Sequence, residues 1–104
     1  MALPPMTAEM RAEAMAAAAQ ARRERAEVRN RLKYGQGTLA EAIDLGRERE
    51  TIGKMKVSAL LESLPGVGKV KAASIMEEIG IAPSRRVRGL GAQQIRALTE
   101  RFDQ

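Results

Sequence analysis

The chain has no cysteine, no histidine and no tryptophan among its 104 residues, and Tyr34 and Phe102 are its two aromatic residues. The missing cysteines and histidines exclude disulfides, thiol nucleophiles and the usual transition-metal ligands. We therefore expect neither a metal site nor a cofactor. Phe102 also falls on an apolar helical stripe, so platforms for stacking single-stranded bases are missing.

Long apolar runs are also missing from the sequence. No segment approaches the roughly 20 apolar residues that would span a bilayer. The opening MALPPM has no positively charged start and no apolar core of useful length, so nothing in it marks export. We expect a soluble cytosolic protein that does not act at a membrane.

What the sequence does contain is an excess of cations. Lysine and arginine number 18 against 13 acidic residues, which gives a net charge of +5. This balance points to a polyanionic partner, although by itself it fits nucleic acid, an anionic membrane or neither. A chain of this length can bury one modest core, which argues against a large substrate cavity.

Helical patterns account for the first half of the chain. From Thr7 to about Lys33 there is no glycine or proline, and alanine is dense, which predicts one long helix with Thr7 as its cap. The GQG stretch at residues 35–37 should end this helix. Thr38 and Glu41 then have capping-box spacing, which predicts a second helix running to about Glu50.

The second half shows three further amphipathic stripes at helical spacing. Their members are Val57, Leu60, Leu61 and Leu64; then Ala72, Ile75, Met76 and Ile79; then Ile95, Leu98 and Phe102. Gly80 with Ile81 is typical of a left-handed helix C-terminus, and Pro83 is expected near a new first helical turn. The fold class is therefore all-α. We expect the stripes from Val57 to Phe102 to form a compact helical core (residues 35–104), with residues 1–34 as a looser long N-terminal helix.

The charges of the long helix are sorted by face. At about 100° per residue, Arg25, Arg29 and Lys33 fall within about 60° of Arg22, while the acidic residues of this half lie on the far side. An apolar strip runs beside this basic row, formed by Ala21, Val28 and Leu32. The row could bind an anionic partner or be an ordinary solvated surface. Residues 6–19 offer little apolar surface for docking.

The stretch LESLPGVGKVKAASIM interrupts the helical pattern with Pro65, Gly66 and Gly68. It is not a P-loop or a dinucleotide fingerprint, because the required serine or threonine, third glycine and preceding strand are absent. The helix that follows Gly68 presents free N–H groups, with Lys69 and Lys71 adjacent, which suits a single phosphate. The alternative is that Pro-Gly is simply a turn between helices.

A second stretch, RRVRGLGAQQIRAL, has a similar arrangement. Gly89 and Gly91 precede another helix start, and Arg85, Arg86 and Arg88 come immediately before it. Two helix starts that are framed by glycine and flanked by cations predict two phosphate-binding sites.

LPGVGKVKA resembles the hairpin of helix-hairpin-helix DNA-binding motifs. Together with RRVRGLG it resembles the helix-two-turns-helix arrangement of a ribosomal small-subunit protein family and of some DNA glycosylases. MALPPM, AAAAQARRERAEVRNRLK, IGKMKVSALLESLPGVGKVKA and SRRVRGLG are similar to the actinobacterial integration host factor family. The resemblance implies a nucleoid-associated protein that binds duplex DNA with little sequence preference and bends it. We expect it to act in the cytoplasm as a monomer.

The resemblance and the charge pattern together give a set of candidate DNA-binding residues. These are Arg22, Arg25, Arg29, Lys33, Lys54, Lys56, Gly66, Val67, Gly68, Lys69, Lys71, Arg85, Arg86, Arg88, Gly89 and Gly91. Phage integration complexes, or a topoisomerase reached through the DNA, are further candidate partners.

Three alternatives remain open at the level of the sequence. The same hairpin could bind structured or ribosomal RNA through phosphates. It also occurs in repair glycosylases and lyases, but a catalytic lysine needs a pocket that lowers its pKa, and phosphate contact explains the lysines beside this hairpin. The alanine-rich helix could serve a protein-interaction adaptor, which would leave the glycine sites unexplained. We expect a binding protein rather than an enzyme.

Overall fold

The computed structural model describes residues 5–103, and every regular element in that range is helical. The elements are α1 (Ala8–Lys33), α2 (Leu39–Glu48), α3 (Glu50–Gly53), α4 (Val57–Glu62), α5 (Lys69–Ile79), a 3₁₀ helix (Val87–Gly89) and α6 (Ala92–Phe102). One isolated antiparallel bridge joins Lys56 to Arg86. The all-α prediction is confirmed. The first four residues of MALPPM, and of the predicted 1–34 unit, lie outside the described range.

The long helix α1 begins and ends as the sequence predicts. The Thr7 hydroxyl accepts a 3.0 Å hydrogen bond from the Met10 N–H, and Gly35 follows the helix in a left-handed conformation with φ 68°. Val28 and Leu32 are buried, whereas residues 8–18 are exposed throughout. The helix is therefore anchored at its C-terminal end and projects away from the core at its N-terminal end. Within the described range, no helix is both long and apolar enough to cross a membrane.

Helix α2 has the predicted capping box of Thr38 and Glu41. Its N-terminus is also capped from the far end of the chain, since the Asp103 carboxylate accepts 2.9 Å hydrogen bonds from the Leu39 and Ala40 N–H groups. An acid at a helix N-terminus satisfies free donors and complements the helix dipole. This contact ties the end of α6 to the start of α2.

The predicted extent of the second helix is corrected by a break before Glu50. Arg49 is extended, with φ −119° and ψ 119°, and a separate short helix, α3, follows it. The break lets α3 fold back on α2 at two glycines. A Cβ on Gly53 would lie 2.5 Å from the Gly46 carbonyl oxygen, and one on Gly46 would lie 2.7 Å from Val87 Cγ1. Glycine is needed here for close packing.

The hydrophobic core is wider than the stripes from Val57 to Phe102. Leu39, Ile43 and Ile52 are fully buried beside Leu61 and Leu98. Their burial places α2 and α3 at the centre of the fold, because these helices contact α1, α6 and the 3₁₀ helix. The boundary at residues 34/35 stays a prediction, and the buried end of α1 belongs to this same core.

The segment after α5 bears out one prediction and corrects another. Gly80 is left-handed at φ 87°, and the Ile81 N–H donates to the Met76 carbonyl at 2.7 Å, as expected for a glycine C-cap. Pro83 does not begin a helix. It lies in a turn closed by the Arg85 N–H to Ala82 carbonyl bond of 2.9 Å, and the chain then extends to pair with Lys56. This pairing, with its own backbone hydrogen bonds, takes the place of a helical turn.

Candidate nucleic-acid interface

The loop between α4 and α5 contains a tight glycine turn. The Val67 N–H donates to the Leu64 carbonyl at 3.2 Å, and Gly66 has φ 76°. Proline at the second position and a positive-φ glycine at the third are typical of a type II turn. A side chain at Gly66 would be strained. Val67 turns its side chain into the core, where it is 7% exposed, so it anchors this hairpin from below.

Gly68 serves a different purpose from Gly66. It is the N-cap of α5, with an ordinary extended conformation (φ −92°), and it makes no side-chain capping bond. A Cβ built on Gly68 meets no atom within 4 Å, so the space above it is open. The first N–H groups of α5 have no partner within the helix, and the exposed Lys69 and Lys71 lie beside them. This helix start can accept an anion.

The end of α1 joins the hairpin in one open cleft. Arg29, Asn30 and Lys33 line one side of this cleft, and residues 62–68 line the other. The Lys33 ammonium also lies 5.6 Å from the centre of the Tyr34 ring. The cleft therefore brings together two groups of candidate residues, Arg29 to Lys33 and Gly66 to Gly68. They are at least 33 residues apart in the sequence.

The rest of the basic row continues along α1 away from the cleft. Arg22 is exposed and Arg25 is half-buried. Within residues 5–103, no carboxylate forms an ion pair with any cation of the row. The row can therefore bind an external anion without first losing an internal partner.

The arginines before the second glycine pair are engaged within the protein. The Arg85 guanidinium donates a 2.8 Å hydrogen bond to the Gly89 carbonyl, and the Arg86 guanidinium donates to the Lys54 carbonyl. Backbone bonds reinforce the connection to the strand-like segment at residues 55–57, from Val57 N–H to Arg85 (3.0 Å) and from Val87 N–H to Met55 (2.9 Å). We call residues 85–91 the braced turn.

The glycines of the braced turn also differ from those of the hairpin. The positive-φ glycines are Gly35, Gly66 and Gly80, so Gly89 and Gly91 have conformations open to other residues. The Gln94 side chain accepts a 2.9 Å bond from the Gly91 N–H and donates a 3.0 Å bond to the Gly80 carbonyl. The second predicted helix start therefore resembles the hairpin in having two glycines and neighbouring cations, but its geometry is different.

Lys54 and Lys56 lie next to the braced turn, and both are exposed. Lys54 forms a 2.9 Å salt bridge with Glu50. Its hydrogen bond and its positive charge, with a smaller effect from Arg88, lower the pKa of Glu50. The carboxylate thus partly neutralises this basic cluster. Arg85 and Arg86 are bonded to backbone carbonyls, which leaves Lys56 and Arg88 as the nearby cations with neither an ion pair nor a side-chain hydrogen bond within residues 5–103.

The short helix α4 separates the two regions. The braced turn pairs with the residues at its N-terminus, and the hairpin follows its C-terminus, so six residues of helix hold them about 9 Å apart. The cleft and the braced turn therefore lie at opposite ends of α4.

Sequence reasoning missed three residues that bear on this interface. Val70 is 86% exposed at the start of α5, and it could have been noticed because it falls outside the apolar stripe of that helix. Gln94 stands three residues after Gly91, which is the capping-box spacing. Glu50 stands four residues before Lys54, which is the spacing of an ion pair on one face of a helix.

Comparison with known proteins agrees with this architecture. The family described as S13-like H2TH domain matches residues 32–102. The integration host factor of Streptomyces coelicolor is 65% identical over 102 residues, covering 98% of this chain and 95% of that protein. The integration host factor of Mycolicibacterium smegmatis is 58% identical over 104 residues, covering 100% and 99%.

A solved structure, that of sIHF bound to an 8 bp palindromic DNA, is 66% identical with a TM-score of 0.80, and the match covers 82% of this chain and 96% of that one. Identity at this level extends over nearly the whole of both chains in the curated relatives, and the helical fold is shared. The chain belongs to the integration host factor family, and its residues 32–102 form an S13-like H2TH domain.

Proposed function

We propose that the protein is an architectural DNA-binding protein that holds duplex DNA by its phosphates, with little sequence preference, and bends it. The observation that carries this proposal is the cleft in which the uncapped start of α5 meets Arg29 and Lys33. Backbone N–H groups and cations recognise phosphate without reading bases. The relative whose structure contains an 8 bp palindromic DNA supports duplex DNA as the ligand.

Bending follows from the spread of the candidate contacts over a small body. The cleft, the braced turn and the outer part of the basic row lie on separate parts of the surface, and straight DNA would leave some of them unused. Smooth bending of a 20–30 bp site by 40–90° costs on the order of 1–6 kcal/mol. A few charge-assisted contacts, each about 1.5–3 kcal/mol, can offset that cost.

The proposed role is one of binding and not of catalysis. Lys69 and Lys71 are exposed beside the hairpin, whereas a Schiff-base lysine needs a desolvating site. We place the protein in the cytoplasm, on the nucleoid, as a monomer. Phage integration complexes or a topoisomerase would be reached through shared DNA.

Gel shifts on unrelated duplexes at several salt concentrations test the binding mode. We expect similar affinities across sequences and a steep fall with salt, because each phosphate contact releases counterions. Strong discrimination between unrelated duplexes would contradict phosphate recognition.

Ring closure of short duplexes, or fluorescence transfer between their ends at saturating protein, tests bending. Arg85 and Arg86 are bonded to carbonyls of the protein itself, so the test uses Arg88→Gln, which should reduce both the bend and the affinity. Unchanged closure rates and end distances on binding of the unmodified protein would place all the contacts along one straight face.

Structured RNA is the second candidate ligand, and the S13-like character of the domain favours it as the alternative. A phosphate-binding hairpin can serve either polymer, but the minor groove of an RNA duplex is wide and lined by 2′-hydroxyls. Competition between duplex DNA and duplex RNA of equal length separates the two. Preferential displacement by RNA would replace the DNA proposal.

A further inference from the structure

The N-terminal part of α1, residues 8–18, projects from the body without packing against it. We call this exposed segment the arm. It is continuous with the anchored part of the helix, where Val28 and Leu32 are buried. The anchored turns have already nucleated the helix, so the alanine-rich segment only has to extend it, and alanine strongly favours helix. The arm therefore has a defined direction relative to the cleft.

The arm carries one more cation on the face of the basic row. At about 100° per residue, Arg11 falls about 20° from Arg22. The four acidic residues of α1 all lie at least about 140° from Arg22 around the helix axis; they are Glu9, Glu13, Glu24 and Glu27. Charge is thus sorted along the whole helix and not only near the core. Arg11 makes a 3.3 Å hydrogen bond to the Met6 carbonyl, and within residues 5–103 it has no ion pair.

An apolar partner does not suit this segment. Met10 and Met15 are its large apolar residues, and both are exposed. They point about 140° apart around the helix, so they do not form a face that could enter a lipid surface or pack on a second copy of the chain. The arm therefore has no continuous apolar face, whereas its charged residues are separated onto opposite faces.

We propose that the arm is an extension of the DNA interface, with Arg11 as an additional phosphate contact beyond the cleft. The inference rests on the proposed function, because it takes the duplex held at the hairpin to continue along the basic face of α1. Arg11 stands about 16 Å beyond Arg22 along the helix axis, or about five base pairs at 3.4 Å each. The arm lengthens the bound site without contacting bases.

The experiment compares Arg11→Ala with Arg23→Ala on duplexes of increasing length. Arg23 is an equally charged residue of the same helix, about 100° from Arg22, and its guanidinium is hydrogen-bonded to Gln20 at 2.8 Å. On duplexes long enough to reach the arm, Arg11→Ala should weaken binding about fivefold and lower the slope of log affinity against log salt by about one. On duplexes that reach only the cleft, it should bind as the unmodified protein does. Equal behaviour of the two variants at every length would overturn the proposal.

Two more variants test how the arm presents Arg11. Arg11→Lys keeps the charge and should retain most of the affinity. Replacing Ala16 and Ala17 with glycine weakens the helix at exposed positions, so it should reproduce the long-duplex loss of Arg11→Ala while the melting temperature of the core stays unchanged. If the glycine variant binds long duplexes as the unmodified protein does, the arm does not need to be helical to place Arg11 on the DNA.

Gly68→Glu, at the hairpin, separates failure of this inference from failure of the proposed function. A loss of binding with Gly68→Glu and none with Arg11→Ala would reject the arm contact alone. No loss with either variant would reject both. A loss with Arg11→Ala on duplexes of every length would also overturn the proposal, because the contact would then not lie beyond the cleft.

Discussion

The hairpin at residues 65–71 and the braced turn at residues 85–91 each have two glycines before a helix, with cations in the first turn of the helix at the hairpin and before the glycines at the braced turn. Both following helices begin at a glycine that makes no side-chain capping bond, and the two regions differ in the space above that glycine and in how the nearby cations are bonded. At the hairpin, Gly68 leaves the start of α5 uncapped and the space above it open. At the braced turn, Arg85 and Arg86 donate to carbonyls of the protein itself. Similar local composition thus supports an open anion site in one place and a self-supporting loop in the other.

The largest expected effect concerns the row that reaches the cleft. Reversing Arg22, Arg25 and Arg29 to glutamate should weaken DNA binding on the order of 100-fold or more, since three favourable contacts become repulsive. Gel shifts at fixed salt measure the loss. Reversal of Arg23 and Arg31, which lie on other faces of the same helix, is the control and should cost much less. Equal affinity of the triple variant would make the row an ordinary solvated surface.

Gly68→Glu tests the open side of the comparison directly. It puts a carboxylate where a phosphate should approach, so binding should fall by about 2 kcal/mol, on the order of 30-fold. The fold should tolerate it, because the backbone conformation is ordinary and no atom lies within 4 Å of the new Cβ. Thermal unfolding of the same variant, with Gly68→Ala as the control, checks this. A variant that melts early and binds normally once folded would assign Gly68 to the fold.

At the braced turn, Arg86→Gln should affect the stability of the fold more than DNA binding, which is the opposite of the effect expected for Gly68→Glu. Loss of the bond to the Lys54 carbonyl should destabilise the fold by about 1 kcal/mol, or about 4–8 °C in melting temperature for a domain of this size. Arg88→Gln is the matched control in the same turn, and it should lower affinity a few-fold without changing the melting temperature. If Arg86→Gln melts normally and binds DNA poorly, Arg86 contacts DNA, and the braced turn binds phosphate as the hairpin does.

The smallest expected effect is a gain in DNA affinity and not a loss. Glu50→Gln removes the carboxylate beside Lys54 and Arg88, so DNA binding should tighten a few-fold, with a steeper salt dependence. The lowered pKa of Glu50 means that its pairing stabilises the fold above the pKa of the unfolded chain and is lost as pH falls through the folded pKa. The stability of Glu50→Gln should lack this acid transition. Unchanged or weaker DNA binding would show that Lys54 and Arg88 do not face the ligand.

The sequence by itself determined the helical class, because its apolar residues recur at helical spacing and its caps are local signals. Thr7, Thr38 and Gly80 act within a few residues of their own positions, so no tertiary information was needed to place those helix ends. The same holds for the hairpin, where Pro65 and Gly66 specify the turn type. Sorting of charge on α1 is likewise a property of one helix and could be derived from its period.

Contacts between distant segments were decided only by the tertiary structure. The break before α3 allows the close approach of Gly46 and Gly53, which is a tertiary contact that a local helical pattern does not contain. The widened core has the same origin, because α6 packs on α2 and α1 packs on α3.

The candidate site divides in the same way. Its residue types were evident from the sequence, as was the anion-binding character of the hairpin. The tertiary structure alone shows that Arg29 and Lys33 share a cleft with Gly68. It also shows that Arg85 and Arg86 are bonded to carbonyls of the protein itself. Whether a cation is free or bonded is set by the neighbours that folding brings to it, and composition cannot specify those neighbours.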